Sequence, residues 1–279
     1  MPPILALDLD GTLLNSSKEI TPRTLSALLR LQEQGATVVI ASGRPPRGSA
    51  PFARELQLRQ HGGYIVAFNG ALILECRTGK ILYEKTLSTE QLADVYALER
   101  PPKCTILTYA NQGILTEDGS SPHVQYASHI NGLPVCETEN LLRAADCPVH
   151  KCIIAGPPDV LDAVEQTARR HSPALPLTIV RSEPFFLEFM PQGVDKGAAL
   201  ARLLSITGHG RRELTAFGDS YNDASMLALA GTAVAMQNAR PEIRAMAHAV
   251  TASNDEDGVA LYLESRAGSM PLPRGKKRV

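Results

Sequence analysis

Short apolar runs alternate with amphipathic segments over the first 70 residues of the chain. The apolar runs cover residues 4–7, 36–41 and 64–68, and each is followed by a glycine-containing turn. Between them, leucines recur at helical spacing, and Thr21-Pro22 supplies a cap and a proline at the start of a helix. Strands that alternate with helices in this way form parallel sheets buried on both faces. The pattern predicts β-α-β units with right-handed crossovers.

The pattern changes after the third of these units. Residues 71–85 resemble an antiparallel hairpin, and residues 87–186 mix short strands, helices and prolines without regular alternation. The earlier pattern returns near residue 187. We therefore predict an α/β fold with a Rossmann-like parallel-sheet core formed by residues 1–86 and 187–279. Residues 87–186 are predicted to form an inserted α+β domain.

Composition narrows the class of protein. The chain has 279 residues, of which 44% are hydrophobic and 20% charged, and its formal net charge is −1. This is enough to bury a large core, and the near-neutral charge gives no reason to expect nucleic acid as a partner. Five cysteines without a CxxC pair argue against a disulfide framework or a zinc site.

Targeting signals are not evident in the sequence. No apolar run approaches the length of a membrane span, and the start lacks the basic region of a signal peptide. We therefore expect a cytoplasmic protein with no membrane partner, and we favour a monomer although the sequence does not determine oligomeric state. The proline-containing basic tail, residues 271–279, is expected to be disordered.

Two aspartates, one residue apart, end the first apolar run. Asp8 and Asp10 begin on one side of the strand because residues i and i+2 face the same way, and Gly11 then breaks the strand. Ligands bind at this end of parallel strands in open α/β sheets. Two like charges this close favour a bound cation, and Mg²⁺ prefers oxygen ligands. Taken alone, the Asp-Gly pair fits an ordinary turn equally well.

A calcium-binding loop is a third interpretation of the same stretch. Asp8, Asp10, Thr12 and Glu19 fall at the ligand spacing of an EF-hand. Leu13, however, stands where that loop needs glycine, and a strand precedes the loop where a helix is required. We therefore disfavour this interpretation.

A second acidic cluster follows another strand far downstream. Residues 213–217 form a short apolar run that leads into Gly218-Asp219-Ser220-Tyr221-Asn222-Asp223. Asp219 and Asp223 are four residues apart at a helix start, so both can point back toward the strand end. Capping of the helix explains one aspartate but not the whole cluster.

Two further positions suggest an anionic ligand. Ser42 and Gly43 follow the second parallel strand, where a hydroxyl and an amide can hold an anionic oxygen. Lys196 lies in the first turn of a predicted helix, where the helix dipole disfavours a cation unless a negative group is near. An ordinary turn and a solvated lysine explain each position taken alone. Acids, one ammonium group and hydroxyl or amide donors at one sheet edge together fit a phosphate monoester that shares a metal ion.

These motifs resemble, in order, the four motifs of the haloacid dehalogenase-like hydrolases. The position of the insert is similar to that of the Cof-type phosphatases, which carry a type IIB cap domain. Gln237 departs from the family pattern, which usually shows glycine there. The matching stretches are Asp8-Leu9-Asp10-Gly11-Thr12, Ser42-Gly43-Arg44, Lys196 and residues 218–223, with further similarity at residues 68–71, 193–197, 235–239 and 253–259.

The resemblance implies a Mg²⁺-dependent phosphatase that acts on small phosphorylated metabolites. Asp8 would be the nucleophile, and Asp10 would act first as general acid and then as general base. The inserted domain would act as a cap that excludes water and selects the leaving group. The implied metal residues are Asp8, Asp10 through its backbone carbonyl, Asp219 and, in a supporting position, Asp223. The implied phosphate contacts are Leu9, Ser42, Gly43, Lys196 and Asn222, and the implied substrate contacts are Arg44 and Asn69.

Two other functions stay open at this point. A phosphotransferase or mutase of the same fold would pass the phosphoryl group to a second substrate and not to water. A non-catalytic sensor of sugar phosphates would bind without turnover, although it would have no need for Asp10 as an acid. Few aromatic residues and no tryptophan favour a sugar or polyol phosphate as the ligand.

Overall fold

A computed structural model describes residues 4–145, 147–171 and 176–266 of the chain. The basic tail that the sequence analysis singled out, residues 271–279, lies outside the described residues. None of the helices in the described part has both the length and the hydropathy that a membrane span requires.

The chain divides into two compact units. The first comprises the residues up to Gly43, Ser49–Leu82 and the residues from Asp195 onward, and the second comprises Arg44–Gly48 and Tyr83–Val194. The second unit is thus made of two stretches of the chain, a short one at residues 44–48 and a long one at residues 83–194.

The described strands and helices follow in chain order. The strands are β1 (Ile4–Leu7), β2 (Thr37–Ala41), β3 (Tyr64–Ala67), β4 (Leu72–Glu75), β5 (Ile81–Glu84), β6 (Thr105–Tyr109), β7 (Ile114–Thr116), β8 (Val135–Glu137), β9 (Cys152–Ala155), β10 (Leu177–Glu183), β11 (Phe186–Pro191), β12 (Leu214–Gly218), β13 (Thr232–Ala235) and β14 (Ala249–Val250). The helices are α1 (Pro22–Glu33), α2 (Pro46–Glu55), α3 (Leu58–His61), α4 (Thr89–Ala97), α5 (Pro122–Asn131), α6 (Leu141–Ala144), α7 (Pro158–His171), α8 (Lys196–Thr207), α9 (Ala224–Leu229), α10 (Pro241–Met246) and α11 (Gly258–Arg266).

The first unit is built on an eight-stranded sheet with the order β14-β13-β12-β1-β2-β3-β4-β5. Strand β1 lies between β12 and β2 and is parallel to both, while β4 is antiparallel to β3. All four residues of β1 are buried, as expected of a parallel strand covered on both faces. The predicted α/β fold with a parallel-sheet core is therefore confirmed.

Local sequence determines where several helices begin and end. The hydroxyl of Thr21 accepts a hydrogen bond from the amide of Thr24, and Pro22 occupies the first position of α1. The amphipathic segment between β2 and β3 forms two helices, α2 and α3. Gln57 has a left-handed φ of 53° between them, which ends the regular helical path.

The second unit has its own six-stranded sheet with the order β10-β11-β9-β6-β7-β8. Strand β11 is antiparallel to both β10 and β9, so it belongs to this sheet. The predicted return to the core near residue 187 is therefore wrong: the second unit runs on to Val194, and it also includes Tyr83 onward and Arg44–Gly48. Since β11 is an interior strand with all six residues buried, it has the apolar pattern of a core strand in the other sheet.

Candidate active site

The two acidic stretches meet because β1 and β12 are neighbouring parallel strands. Their register sets Leu7 opposite Phe217, and the amide of Asp8 donates to the carbonyl of Phe217 at 3.1 Å. Asp8 and Asp219 thus follow the two strands at the same edge of the sheet. Open α/β sheets bind ligands at this edge.

Three carboxylates converge at this edge. Asp8, Asp219 and Asp223 each offer an oxygen, and these three atoms lie within 4.8 Å of one another. Lys196 Nζ donates to Asp8 Oδ1 and to Asp223 Oδ1, both at 2.6 Å, and the lysine is 0% exposed. Three carboxylates therefore face a single ammonium group.

Burial and mutual repulsion act on the charges of this cluster. Burial raises the pKa of Asp8 well above its ordinary value; the charge of Lys196 opposes this rise, and the charges of Asp223 and Asp219 add to it. Burial and the charge of Asp223 raise the pKa of Asp219 to about 7. Burial alone would lower the pKa of Lys196, but the charges of Asp223 and Asp8 outweigh it and raise that pKa. The cluster carries more negative charge than one lysine offsets.

The loop after β1 packs directly against Asp219. The hydroxyl of Thr12 donates to Asp219 Oδ1 at 2.7 Å. Gly11 has a left-handed φ of 81°, and a Cβ at this position would lie 2.6 Å from Asp219 Oδ2. The loop therefore requires glycine both for its backbone conformation and for its close approach to the carboxylate.

Asp223 is held by the backbone as well as by Lys196. Its Oδ2 accepts hydrogen bonds from the amides of Asp219 at 2.9 Å and Ser220 at 3.0 Å. Both oxygens of Asp223 are thus engaged by N–H donors of the chain. This arrangement fixes the turn that carries Asp219.

Two of the loops that carry predicted phosphate contacts, at Ser42 and at Asn222, are linked through Asn69. The carbonyl of Ser42 accepts from the amide of Asn69 at 3.0 Å, and Asn222 Nδ2 donates to Asn69 Oδ1 at 3.1 Å. Phe68 and Asn69 both have left-handed φ values, 52° and 56°. Such a conformation is rare for a bulky residue and is found where a site demands it. Asn69 therefore joins the Ser42 loop to the acidic turn at Asn222.

The remaining predicted site residues have other surroundings. Asp10 is not among the three converging carboxylates; its Oδ1 accepts from Lys18 Nζ at 2.8 Å in a partly exposed ion pair. Leu9 is buried, and its carbonyl accepts from the amide of Leu14 at 2.9 Å. Arg44 belongs to the second unit, where its Nη1 donates to the carbonyl of Ile130 at 2.5 Å.

The donor set fits a divalent metal ion. Carboxylate oxygens are the ligands that hard cations prefer, and a divalent ion would offset the surplus negative charge beside Lys196. Asp8, Asp219 and Asp223 are the residues that could hold it.

Sequence reasoning missed several residues that shape the site. Thr12 contacts Asp219, Lys18 pairs with Asp10, and Asn238 Nδ2 donates to the carbonyl of Gly11 at 2.7 Å. Thr12 and Asn238 lie in stretches that match the family pattern, which was the available signal. No pattern in the sequence indicated Lys18.

The second unit carries a cluster of four rings. Phe185 stacks on His123 with centroids 5.1 Å apart and planes 15° apart, and Tyr126 meets Phe185 edge-on at 5.3 Å. Phe186 lies 4.8 Å from Phe185. His123, Tyr126 and Phe185 are partly exposed, and burial lowers the pKa of His123, which favours its neutral form. Composition alone did not suggest a ring platform because these rings come from separate stretches.

The fold and the site define a class: α/β proteins that carry carboxylates at the carboxyl ends of adjacent parallel strands. Residues 5–263 match the family model described as haloacid dehalogenase-like hydrolase, and the chain belongs to this family. Several curated relatives are named phosphatases, and this chain is a phosphatase of the same family.

Individual relatives cover nearly the whole chain. A crystal structure of a haloacid dehalogenase-like hydrolase from Bacteroides thetaiotaomicron is 41% identical, with a TM-score of 0.90, and covers 95% of this chain and 99% of that one. HMP-PP phosphatase of Serratia proteamaculans is 30% identical over 263 residues, 94% of each chain. The 5-amino-6-(5-phospho-D-ribitylamino)uracil phosphatase YitU of Bacillus subtilis is 28% identical over 271 residues, 94% of this chain and 97% of that one.

Proposed function

We propose that the protein is a Mg²⁺-dependent phosphatase that hydrolyses small phosphate monoesters through an aspartyl-phosphate intermediate. One observation carries this proposal: Asp8, Asp219 and Asp223 converge at the end of two parallel strands, and the buried Lys196 pairs with Asp8 and Asp223. A phosphate ester brings negative charge that lysine and a metal ion can share. A structural ion pair alone would not require three carboxylates for one ammonium group.

The first chemical step belongs to Asp8. Its carboxylate oxygen attacks phosphorus and forms a phosphorus–oxygen bond, while the bond from phosphorus to the ester oxygen breaks. Asp10 gives its proton to the departing alkoxide. The partly exposed position of Asp10, outside the three-carboxylate cluster, suits a group that must exchange protons with solvent.

The second step returns the enzyme to its starting state. Asp10 takes a proton from a water molecule, whose oxygen attacks the phosphorus of the intermediate. The bond between phosphorus and Asp8 then breaks, which restores the carboxylate and releases inorganic phosphate.

The other site residues hold the phosphoryl group and the metal. We assign the phosphoryl oxygens to Lys196, Ser42, Asn222 and the amides of Leu9 and Gly43. Asp8, Asp219 and the backbone carbonyl of Asp10 would bind Mg²⁺, and Asp223 would hold Lys196 and the Asp219 turn from behind. When bound, Mg²⁺ supplies positive charge that offsets negative charge on the transferring group.

We assign selection of the leaving group to the second unit. Arg44 and Asn69 are proposed substrate contacts. Our first candidate substrates are sugar and polyol phosphates, which suit a chain with 5% aromatic residues and no tryptophan.

The ring cluster of the second unit supports a second candidate, a phosphate ester that carries a planar heterocycle. Partly exposed rings at His123, Tyr126 and Phe185 offer faces on which such a ring can stack. A relative of this chain is named for a substituted uracil.

The proposal is tested by phosphate release over a set of phosphorylated metabolites that includes both substrate classes. We expect turnover with Mg²⁺, none in excess EDTA and none with Asp8→Asn. In ¹⁸O water, hydrolysis places solvent oxygen in the released phosphate. A mutase passes the phosphoryl group to a second substrate and releases little phosphate. A folded protein that binds these esters without turnover would support the sensor alternative and contradict the proposal.

A further inference from the structure

We propose that Asn238 is a positioning residue that fixes the loop after β1 against Asp219 and thereby sets the affinity of the acidic site for its divalent ion. The inference rests on the proposed function for the identity of that ion. The side chain of Asn238 bonds to the backbone of the loop beside the three carboxylates, at the carbonyl of Gly11.

Asn238 bridges two loops of the first unit through both ends of its amide. Its Nδ2 donates to the carbonyl of Gly11 at 2.7 Å, and its Oδ1 accepts from the amide of Asn254 at 3.1 Å. A carbonyl needs a donor and an amide needs an acceptor, so these two partners determine the orientation of the side chain. A side-chain amide supplies a donor and an acceptor on two separate atoms of one short side chain.

The segment that carries Asn238 also holds the second acidic stretch. The amide of Met236 donates to the carbonyl of Gly218 at 3.1 Å, and the amide of Arg240 donates to the carbonyl of Asp219 at 3.2 Å. Residues 236–240 therefore bond to the backbone of both strand ends that supply carboxylates. We call this segment the brace.

Gly11 transmits the position of the brace to the metal site. Asn238 donates a hydrogen bond to the carbonyl of Gly11. Gly11 also packs closely against Asp219, since a Cβ added to Gly11 would lie only 2.6 Å from Asp219 Oδ2. The next residue, Thr12, donates to the other oxygen of the same carboxylate. A shift of Gly11 must therefore displace Asp219 or its hydrogen bond.

A second contact holds the far end of the same loop. Asn254 Nδ2 donates to the carbonyl of Leu14 at 2.9 Å. Asp255 accepts from the amide and the hydroxyl of Ser16, each at 2.7 Å. The loop is thus fixed from Gly11 to Ser16 by residues near the carboxyl terminus of the chain.

Asn238→Asp is the variant that tests the inference. It keeps the size of the side chain but places an anionic acceptor against the carbonyl of Gly11. Residues that support metal ligands affect metal affinity by about 10- to 100-fold. Because Asn238 acts through Gly11, we expect the lower end: about a tenfold rise in the Mg²⁺ dissociation constant, measured by titration calorimetry without substrate. The Mg²⁺ concentration for half-maximal phosphate release should rise in parallel, with a smaller loss of kcat at saturating Mg²⁺.

Gln237→Glu is the matched control. It adds the same charge one residue away, at an exposed position of the brace whose side chain is not among the groups that bond to Gly11, Gly218 or Asp219. We expect Mg²⁺ affinity within about twofold of wild type. An equal loss of affinity in both variants would overturn the inference, because charge alone would then explain the effect.

Asn254→Asp keeps the inference testable if Asn238→Asp fails to fold. It removes the donor to Leu14 and should also raise the Mg²⁺ dissociation constant. Wild-type Mg²⁺ affinity in a folded Asn238→Asp protein overturns the inference. If Asn238→Asp does not fold, wild-type Mg²⁺ affinity in Asn254→Asp overturns it. Failure of the proposed function is distinguishable: wild type would then release no phosphate from any ester, while calorimetry would still report on the brace.

Discussion

Lys196 is fully buried between two carboxylates, although it occupies the first turn of α8, where the helix dipole disfavours a cation. Asp8 and Asp223 offset this cost, since each lies 2.6 Å from its Nζ. The carboxylates in turn depend on Lys196. Without the ammonium group, two buried carboxylates would face each other and Asp219 with no cation of the chain between them.

Lys196→Met should therefore destabilise the protein strongly. Breaking a buried ion pair by removing one partner costs roughly 3–5 kcal/mol because a charge is left uncompensated. We expect a loss of that size in the free energy of unfolding by urea in EDTA, and excess Mg²⁺ should recover part of it. Phosphate release should fall by at least about a hundredfold, as for other lost oxyanion donors.

Lys80→Met is the matched control for this substitution. Lys80 is exposed, so its replacement should change stability by less than about 0.5 kcal/mol. If Lys196→Met were as stable as Lys80→Met, the buried lysine would not be the counter-charge of the acidic cluster.

Residues differ in how far the sequence alone predicts them. Asp8 and Asp219 could be placed at one sheet edge because strand periodicity and the glycine turns are local signals. Thr12 and Asn238 could not be assigned roles, since their hydrogen bonds join residues more than 200 positions apart. Such contacts depend on which strands are neighbours, and no local pattern specifies that.

At the scale of elements, α8 shows how a helix start sets the position of a site residue. Asp195 is its N-cap and accepts from the amide of Ala198 at 2.8 Å. The carbonyl of Asp195 lies only 2.4 Å from the place a Cβ would take on Gly70. The cap therefore fixes the first turn, and Lys196 with it, against the strained turn at Phe68 and Asn69.

Asp195→Ala should weaken both the helix and the site. Loss of an N-cap typically costs about 1 kcal/mol, which urea unfolding can measure. We also expect slower phosphate release, because Lys196 would be held less firmly. Asp195→Ser, which keeps a capping oxygen, should recover most of both effects. Unchanged stability and turnover in Asp195→Ala would contradict this view of the helix start.

The elements also show where a sequence pattern is ambiguous. Strand β11 is buried on both faces, as a central parallel strand would be, yet it pairs antiparallel with β9 and β10 in the second sheet. Burial on both faces produces the same composition in either sheet. The boundary between the units therefore could not be taken from hydrophobicity.

At the scale of the whole molecule, the site depends on pairing between distant parts of the chain. Strand β1 near the amino terminus and β12, more than 200 residues later, are neighbours in one sheet. The second unit is inserted between them in sequence, with its own sheet. The change of pattern after residue 86 and the order of the family motifs both predicted an inserted domain, but neither specified that β1 and β12 are neighbours.

Trapping the phosphorylated enzyme tests whether Asp8 forms a covalent bond to phosphorus. Asp10→Asn lacks the base for the second step, and an aryl phosphate needs no acid for the first. We expect acid quenching of this variant with Mg²⁺ and a ³²P-labelled aryl phosphate to give nearly one label per chain, on the peptide that contains Asp8. The double variant Asp8→Asn/Asp10→Asn should give none. Label retained by the double variant, or phosphate released by Asp10→Asn with no labelled protein at any time, would show that Asp8 is not the nucleophile.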